Sequence, residues 1–178
     1  MKELKKSIPL DWESQLERII MLNMCIRSRD KAYIASPCRA ETLEELRLNM
    51  KAARFYLYYV HKNFSLNALA PHAYLPIMLN DSIPAERESA LDFCLARLNH
   101  CQLFLMCGNR MTDGMRGEAA YAAQRAIPMK AFSAEIYKAA HGLLKREGFN
   151  TDLLIYDEEH PLLAMSAEEM FCQEVQYA

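Results

Sequence analysis

The chain has no long apolar run, no block of like charge, no glycine-rich fingerprint and no paired-cysteine motif, and each absence removes a class of function. The longest apolar runs fall far short of a membrane span, and the opening MKELKKSIPLDWE has no apolar signal-peptide core, so a cytoplasmic protein with no membrane partner is expected. Residues 1–6 alone read as basic and loose. Lys/Arg runs and an acidic tail are both missing, and the formal net charge is −2, which predicts no nucleic-acid partner. Six cysteines (Cys25, Cys38, Cys94, Cys101, Cys107, Cys172) are scattered without a CxxC pair, most of them inside apolar patterns as reduced thiols would be. Clustered Cys/His at ligand spacing is lacking, so no metal is expected. SPCRAE stands where a glycine-rich loop would follow the first strand, which argues against an ordinary dinucleotide site; no cofactor is expected. Internal repeats and low-complexity linkers are absent too. What is there is 178 residues, 52% hydrophobic and 25% charged, enough for one domain with a sizeable core.

The chain is organised around Cys101–Glu118, CQLFLMCGNRMTDGMRGE. QLFLMC is an unbroken apolar run without polar alternation, as suits a central parallel strand covered on both faces. A glycine ends it, a polar loop follows, and from Gly114 the Ala-rich MRGEAAYAAQRA reads as a helix with Glu118 near its first turn. In open parallel α/β sheets, ligands sit outside the carboxyl ends of strands, where helix N-termini present free N–H groups. A carboxylate placed there is supported as an anion and suits a nucleophile or a ligand-orienting base.

Around this unit the pattern predicts strands at about 32–36, 67–70, 102–107, 128–132 and 152–156. Trp12–Ile26 reads as an amphipathic helix that covers either a sheet edge or a partner. The segment from about Thr42 to Lys62 is a long helix with a Leu43, Leu46, Met50, Ala53, Leu57, Val60 stripe. Further helices are expected at about Ala85–Asn99, Ala134–Arg146 (ended by the Gly148 cap signal) and Ala167–Gln173, with a loop through Tyr74, Pro76 and Met78. The predicted fold is one α/β domain, a three-layer sandwich with a four- to five-stranded parallel sheet and extra helices at both ends. It divides into an N-terminal helical extension (1–30), a core (31–132) and a C-terminal extension (133–178).

The strand ends collect the residues with chemistry: Ser36, Pro37 and Arg39 after the first, His72 after the second, and Arg110, Thr112, Asp113, Gly114, Met115 and Glu118 after the third. A hydroxyl, guanidinium groups, an imidazole and carboxylates could converge there on a polar small molecule. Arg39 or Thr112 with helix N–H groups would take a phosphate, and Glu118 a sugar hydroxyl or anomeric carbon. The bland alternatives are specific. Glu118 could serve only the helix dipole, Asp113 could be a cap, and His72 a structural histidine. Ser36 has no His or Asp at a triad spacing. The Tyr56/Tyr58/Tyr59 cluster reads as core or subunit interface.

Residues 32–131 resemble the nucleoside 2-deoxyribosyltransferase-like superfamily, nearest to its small phage and prophage members of unassigned activity. The likeness rests on YIASPCR, the helix with Asn49 and Arg54, APHAYLP at Ala70–Pro76, ERESALDFCLARLNHCQLFLMCGNR and TDGMRGEAAYAAQRAIP. Its most specific piece is a hydroxyl or Asp, then Gly, then Glu four residues after that Gly, met here by Thr112, Gly114 and Glu118. The resemblance implies a flavodoxin/Rossmann-like sheet, a homo-oligomer with sites near the subunit contact, and a Glu that attacks the anomeric carbon and expels the base. The sugar then passes to another base or to water. It also implies an acidic residue on the helix before strand three, where Cys94 stands with Asp92 near it on a different face. The Asp common at the start of strand three is Gln102 here.

Two functions are therefore expected as alternatives. One is an N-glycosidic hydrolase or transferase acting on a nucleoside, nucleotide or ribosyl compound. In it Glu118 is the nucleophile, Asp113 or His72 assists at the base, and Ser36, Pro37, Arg39, Thr112, Gly114, Met115 and Asp92 bind substrate. The other is a non-catalytic protein that binds or sequesters a nucleotide-derived ligand.

Overall fold

The short apolar runs AYIA and LFLM survive as central strands because both faces of the sheet are covered there. The computed structural model describes residues 8–25, 31–64, 66–80 and 82–171, with side chains in the first helix described as far as Met21. Its strands are β1 (Lys31–Ala35), β2 (Asn67–Leu69), β3 (Leu103–Met106), β4 (Met129–Ala131) and β5 (Leu154–Tyr156). All pair in parallel in the order β2-β1-β3-β4-β5. β1 meets β3 from Ala32 opposite Leu103 to Ala35 opposite Met106. The expected strands are thus found, each with its ends within two residues of the predicted ones.

The helices are α1 (Trp12–Cys25), α2 (Leu43–Asn63), α3 (Leu75–Met78), α4 (Pro84–Leu98), α5 (Asp113–Gln124), α6 (Ala134–Glu147) and α7 (Ala167–Phe171). Short 3-10 turns lie at Pro71–Ala73, Thr151–Leu153 and Pro161–Ala164. Because side chains alternate along a strand, Ala32 and Ile34 join the core under α2, while Tyr33 and Ala35 join the core under α4, α5 and α6. Thr42, Thr112 and Ser133 cap α2, α5 and α6 by accepting from the third residue of each helix. Gly148 ends α6 in the left-handed conformation at φ 71°.

The structure decides the role of α1. The Trp12 ring sits edge-on to Phe55 at 5.4 Å and stacks on Phe171 at 6.3 Å, so α1 closes over α2 and α7, not over a sheet edge. Burying an indole of ~150–250 Å² is worth about 4–6 kcal/mol before entropy is counted. Tyr56 and Tyr58 are buried in the same core. Two short elements departed from expectation. Leu75–Met78 forms a helical turn where a loop was predicted, since Pro76 sits in its first turn, where a missing N–H costs nothing. The turn at Pro161–Ala164 carries the chain from β5 back across the carboxyl edge of the sheet. There Leu163 O accepts from Gly108 N at 2.8 Å, and Met165 O accepts from the Tyr56 hydroxyl at 2.5 Å. The closing helix is seen from Ala167 to Phe171, and the rest of the predicted span lies outside the described residues. No helix among the described residues is long and apolar enough to cross a membrane.

Candidate functional site

The strand order reverses between β1 and β3, which is where an open parallel sheet leaves a crevice at its carboxyl edge. The backbone there is tightly set. Gly108, directly after β3 and its final hydrogen-bonded residue, has φ +97°, and a Cβ on it would stand 2.9 Å from Pro37 Cδ. Asn49 Nδ2 donates to the Cys38 carbonyl at 3.3 Å, fixing the loop after β1 from the side of α2.

On the opposite face, α5 delivers Glu118. Met115, Glu118, Ala119 and Ala122 share the i, i+3, i+4, i+7 stripe that packs inward, so the carboxylate occupies a position the helix pattern reserves for core and is only 3% exposed. Strand alternation points Tyr33 to the same side, and its hydroxyl donates to Glu118 Oε1 at 2.5 Å. His72 Nε2 lies 3.6 Å from the same oxygen. The turn that carries His72 is held by Arg54, whose Nη1 donates to Ala73 O at 3.5 Å. Cys38 contributes to the upward shift of the His72 pKa, and Cys94 from α4 to that of Tyr33, so both thiols stand beside the pair. Glu118 Oε2 is buried with no partner, and so is Ser36 Oγ, on a residue 2% exposed. An orphaned buried polar atom costs about 1–3 kcal/mol, more when charged.

Burial pulls the His72 pKa down, but the ring's hydrogen bonding to Cys38 and Glu118 and the Glu118 charge outweigh it and hold the ring well above its ordinary 6.5. The charged form of the imidazole is therefore favoured beyond what its burial alone would allow. Burial and then the Glu118 charge raise Tyr33 well above the usual phenol range, which keeps it a donor. The arrangement is a carboxylate with one oxygen clamped by a phenol and an imidazolium and the other oxygen free. Such a group can attack or stabilise an electron-poor carbon while the imidazolium supplies a proton.

Of the residues expected from sequence, His72 and Glu118 meet here. Four others do not take their expected places. Asp113 is fully exposed at the start of α5 and faces Arg116 Nε at 3.9 Å, because the first helical position points away from the sheet. Asp92 is on the exposed side of α4, two residues from inward-facing Cys94 and so roughly 200° around the helix from it. Arg39 is exposed, and Met115 is 1% exposed within the core. The Thr112 hydroxyl is used as the cap, accepting from Met115 N at 3.3 Å, and Gly114 is exposed beside it. Arg110 faces Glu45, with Nη2 to Oε1 at 3.8 Å. Gln102 lies at the amino edge of the sheet, where its Oε1 accepts from Lys31 N, so its identity does not touch the carboxyl-edge cluster. Sequence reasoning missed Tyr33, Cys38 and Cys94 as members of the cluster. The readable signals were a glutamate inside an apolar helical stripe and a tyrosine in the strand register that faces it.

A cavity of about 150 Å³ lies on the α2 side of the switch point, lined among others by Pro37, Asn49, Tyr56, Asn109, Arg110 and Ser166. Glu118 is not in its lining, and its volume is below the roughly 300–1,000 Å³ of pockets that enclose drug-sized ligands. Among the described residues no group of three or more His, Cys, Asp or Glu side chains is disposed to hold a metal ion.

Among solved structures, the chain is similar to a 2-deoxyribosyltransferase from the psychrotolerant bacterium Bacillus psychrosaccharolyticus, at 15% identity and a TM-score of 0.47, over 71% of this chain and 97% of that one. No curated protein matches. The model of a family described as a domain of unknown function (DUF7768) matches residues 30–132, and the chain belongs to that family.

Proposed function

We propose that the protein acts on the N-glycosidic bond of a nucleoside, nucleotide or related ribosyl compound, with Glu118 as nucleophile. The observation that carries this reading is the divided state of the Glu118 carboxylate. Oε1 is held by Tyr33 and faced by His72, while Oε2 is buried without a partner at the carboxyl edge of the sheet. The Thr112, Gly114, Glu118 spacing supports it as well, through the resemblance it carries.

In this mechanism Oε2 attacks the anomeric carbon as the base departs, forming a glycosyl ester on Glu118, much as retaining glycosidases do. The His72 imidazolium gives its proton to the leaving base. Water or a second base then displaces the sugar and restores the carboxylate. Ser36, with its hydroxyl unengaged, is the candidate hydrogen-bond partner for the sugar, and Pro37 frames the backbone beside it. A symmetric assembly belongs to the same proposal. Tyr74, Ile77, Met78 and Ile83 are exposed on the connection that follows His72, and light scattering at micromolar concentration tests it.

The decisive experiment incubates the protein with a panel of nucleosides, nucleotides and NAD-like compounds and reads the products by mass spectrometry. Released base with free sugar supports hydrolysis, and exchange onto an added base supports transfer. A ligand recovered intact from the denatured protein replaces the enzymatic reading with a binding protein. No turnover and no retained ligand across the panel overturns both.

A further inference from the structure

The glycosidic reading leaves one cavity without a task. It holds about 150 Å³ on the α2 side of the switch point, lined from the loops after β1 and β3, and Glu118 is not in its lining. An open parallel sheet takes its ligands at this crevice. Leu48 and Ala52 of α2, with Pro37, give the cavity an apolar floor. Another part of the wall is Ser166, Ala167 and Glu168, which lie beyond the family-matched residues 30–132, so this chain's own C-terminal segment completes the site. That segment is anchored where Leu163 O accepts from Gly108 N at 2.8 Å and Met165 O accepts from the Tyr56 hydroxyl at 2.5 Å. The polar lining carries charges of both signs. Arg110 Nη2 stands 3.8 Å from Glu45 Oε1, beyond hydrogen-bond distance, so the guanidinium keeps its donors. Asn109 adds an amide next to it in the chain. Against them stand the carboxylates of Glu45 and Glu168. Asn49 lines the cavity too. A carbonyl can only accept, so its Nδ2 is turned to Cys38 O at 3.3 Å and its Oδ1 remains an acceptor.

We propose that this cavity binds a small aliphatic α-amino acid, its carboxylate on Arg110 and Asn109, its ammonium on Glu168, Glu45 and Asn49, and its side chain on the apolar floor. Three features select that class. The volume equals that of a cavity that takes one benzene ring, so about six to eight heavy atoms fit. One guanidinium set among two carboxylates suits a zwitterion. A phosphate or simple carboxylate would meet like charge on Glu45 and Glu168, and a simple amine would meet it on Arg110. The planar guanidinium also matches a carboxylate with two parallel hydrogen bonds. Leu48 and Ala52 offer methyl groups and no polar side-chain atom, which favours an aliphatic side chain such as that of valine over a polar one. The proposal does not rest on the glycosidic reading, and its test reads binding alone.

L-valine is titrated into the intact chain by calorimetry, alongside isobutyrate and isobutylamine, which keep one charged end each. Valine is expected to bind with a dissociation constant on the order of 0.1 mM. Either single-ended analogue should bind at least about tenfold more weakly, as loss of a hydrogen-bonded charge requires. Arg110→Ala and Glu168→Ala, both at exposed positions, should each weaken valine by about tenfold. Glu118→Gln should leave its affinity unchanged. Amide exchange in the unaltered protein should slow on valine addition at residues 109–110 and 161–168, which locates the ligand without any variant. The proposal is overturned by the absence of saturable binding up to about 10 mM, a hundred times the expected constant. It is equally overturned by an analogue that binds as well as valine, or by full affinity in both Arg110→Ala and Glu168→Ala. Loss of binding in Glu118→Gln, or exchange protection confined to the Glu118 helix, would put the ligand at the other cluster and overturn it too.

Discussion

Two buried carboxylate–histidine clusters can be set side by side, and they differ in what is left over. At the ends of β4 and β5, Asp157 is 8% exposed and both its oxygens are engaged. Lys130 Nζ donates to Oδ2 at 2.9 Å, while Oδ1 receives Glu159 N at 3.1 Å and has His160 Nδ1 at 2.9 Å. The His160 ring is further packed at 4.5 Å from Phe64. Glu118 is buried more deeply, yet one of its oxygens has nothing. A carboxylate that is fully hydrogen-bonded ties elements together, in this case β4 to the turn after β5. One that is buried and half-satisfied carries a cost that structure alone gives no reason to retain. The two clusters therefore differ in how fully their carboxylates are satisfied, not in the residue types they contain.

The sharpest way to break the comparison is Glu118→Gln. Turnover on any nucleoside substrate should fall by about 10³-fold or more, because the amide cannot form the glycosyl ester. The urea midpoint should move little, since the shape is kept. A large stability loss with activity retained would place Glu118 with Asp157. Next in size is Asp157→Ala, which strands Lys130 in a part-buried site. It should cost about 3 kcal/mol in denaturant unfolding, with catalysis by the remaining fold unchanged per folded molecule. Tyr33→Phe removes the clamp on Oε1, and a loss of about 1.5–3 kcal/mol is expected from a hydrogen bond to a charged group. Turnover should fall along with it.

The smallest effects are in pH. For Asp157, burial raises the pKa but hydrogen bonds from His160 and Lys130 lower it further, so the net shift is downward from 3.8. Its stabilisation is therefore present above that value and lost as the pH falls below it. His72 has the opposite sign. Its pKa is raised on folding, so its contribution is complete below about 6.5 and disappears as pH rises through the folded value. Thermal melts from pH 6 to 9 should show a declining stability that flattens in His72→Gln. Melts below pH 4 should show a loss that flattens in Asp157→Asn.

Much of this architecture was legible because its determinants are local. LFLM and AYIA are apolar without alternation, and that pattern can persist in water only if helices cover both faces. Thr112 and Ser133 precede Ala-rich helices as caps, and Gly148 closes one. His72 and Glu118 could be named because parallel connections return every strand's carboxyl end to one edge, so residues after successive strands are neighbours whatever their separation in the chain. Asp113 and Asp92 were misplaced because belonging to the right turn or helix does not settle which way a side chain faces. A helix rotates about 100° per residue, and those two fall on the solvent side.

The amino-acid sequence by itself determined the element order, the parallel sheet and the presence of a carboxylate in the second turn of the helix after β3, since apolar period, caps and chain connectivity act over a few residues. Tertiary structure alone decided that Tyr33 would clamp that carboxylate, that His72 would face the same oxygen, and that the segment after β5 would return across the sheet edge to Gly108 and Tyr56. Those contacts join residues from about 46 to 109 positions apart. They depend on strand register and helix rotation about the core, quantities that packing fixes only once both faces of the sheet are filled.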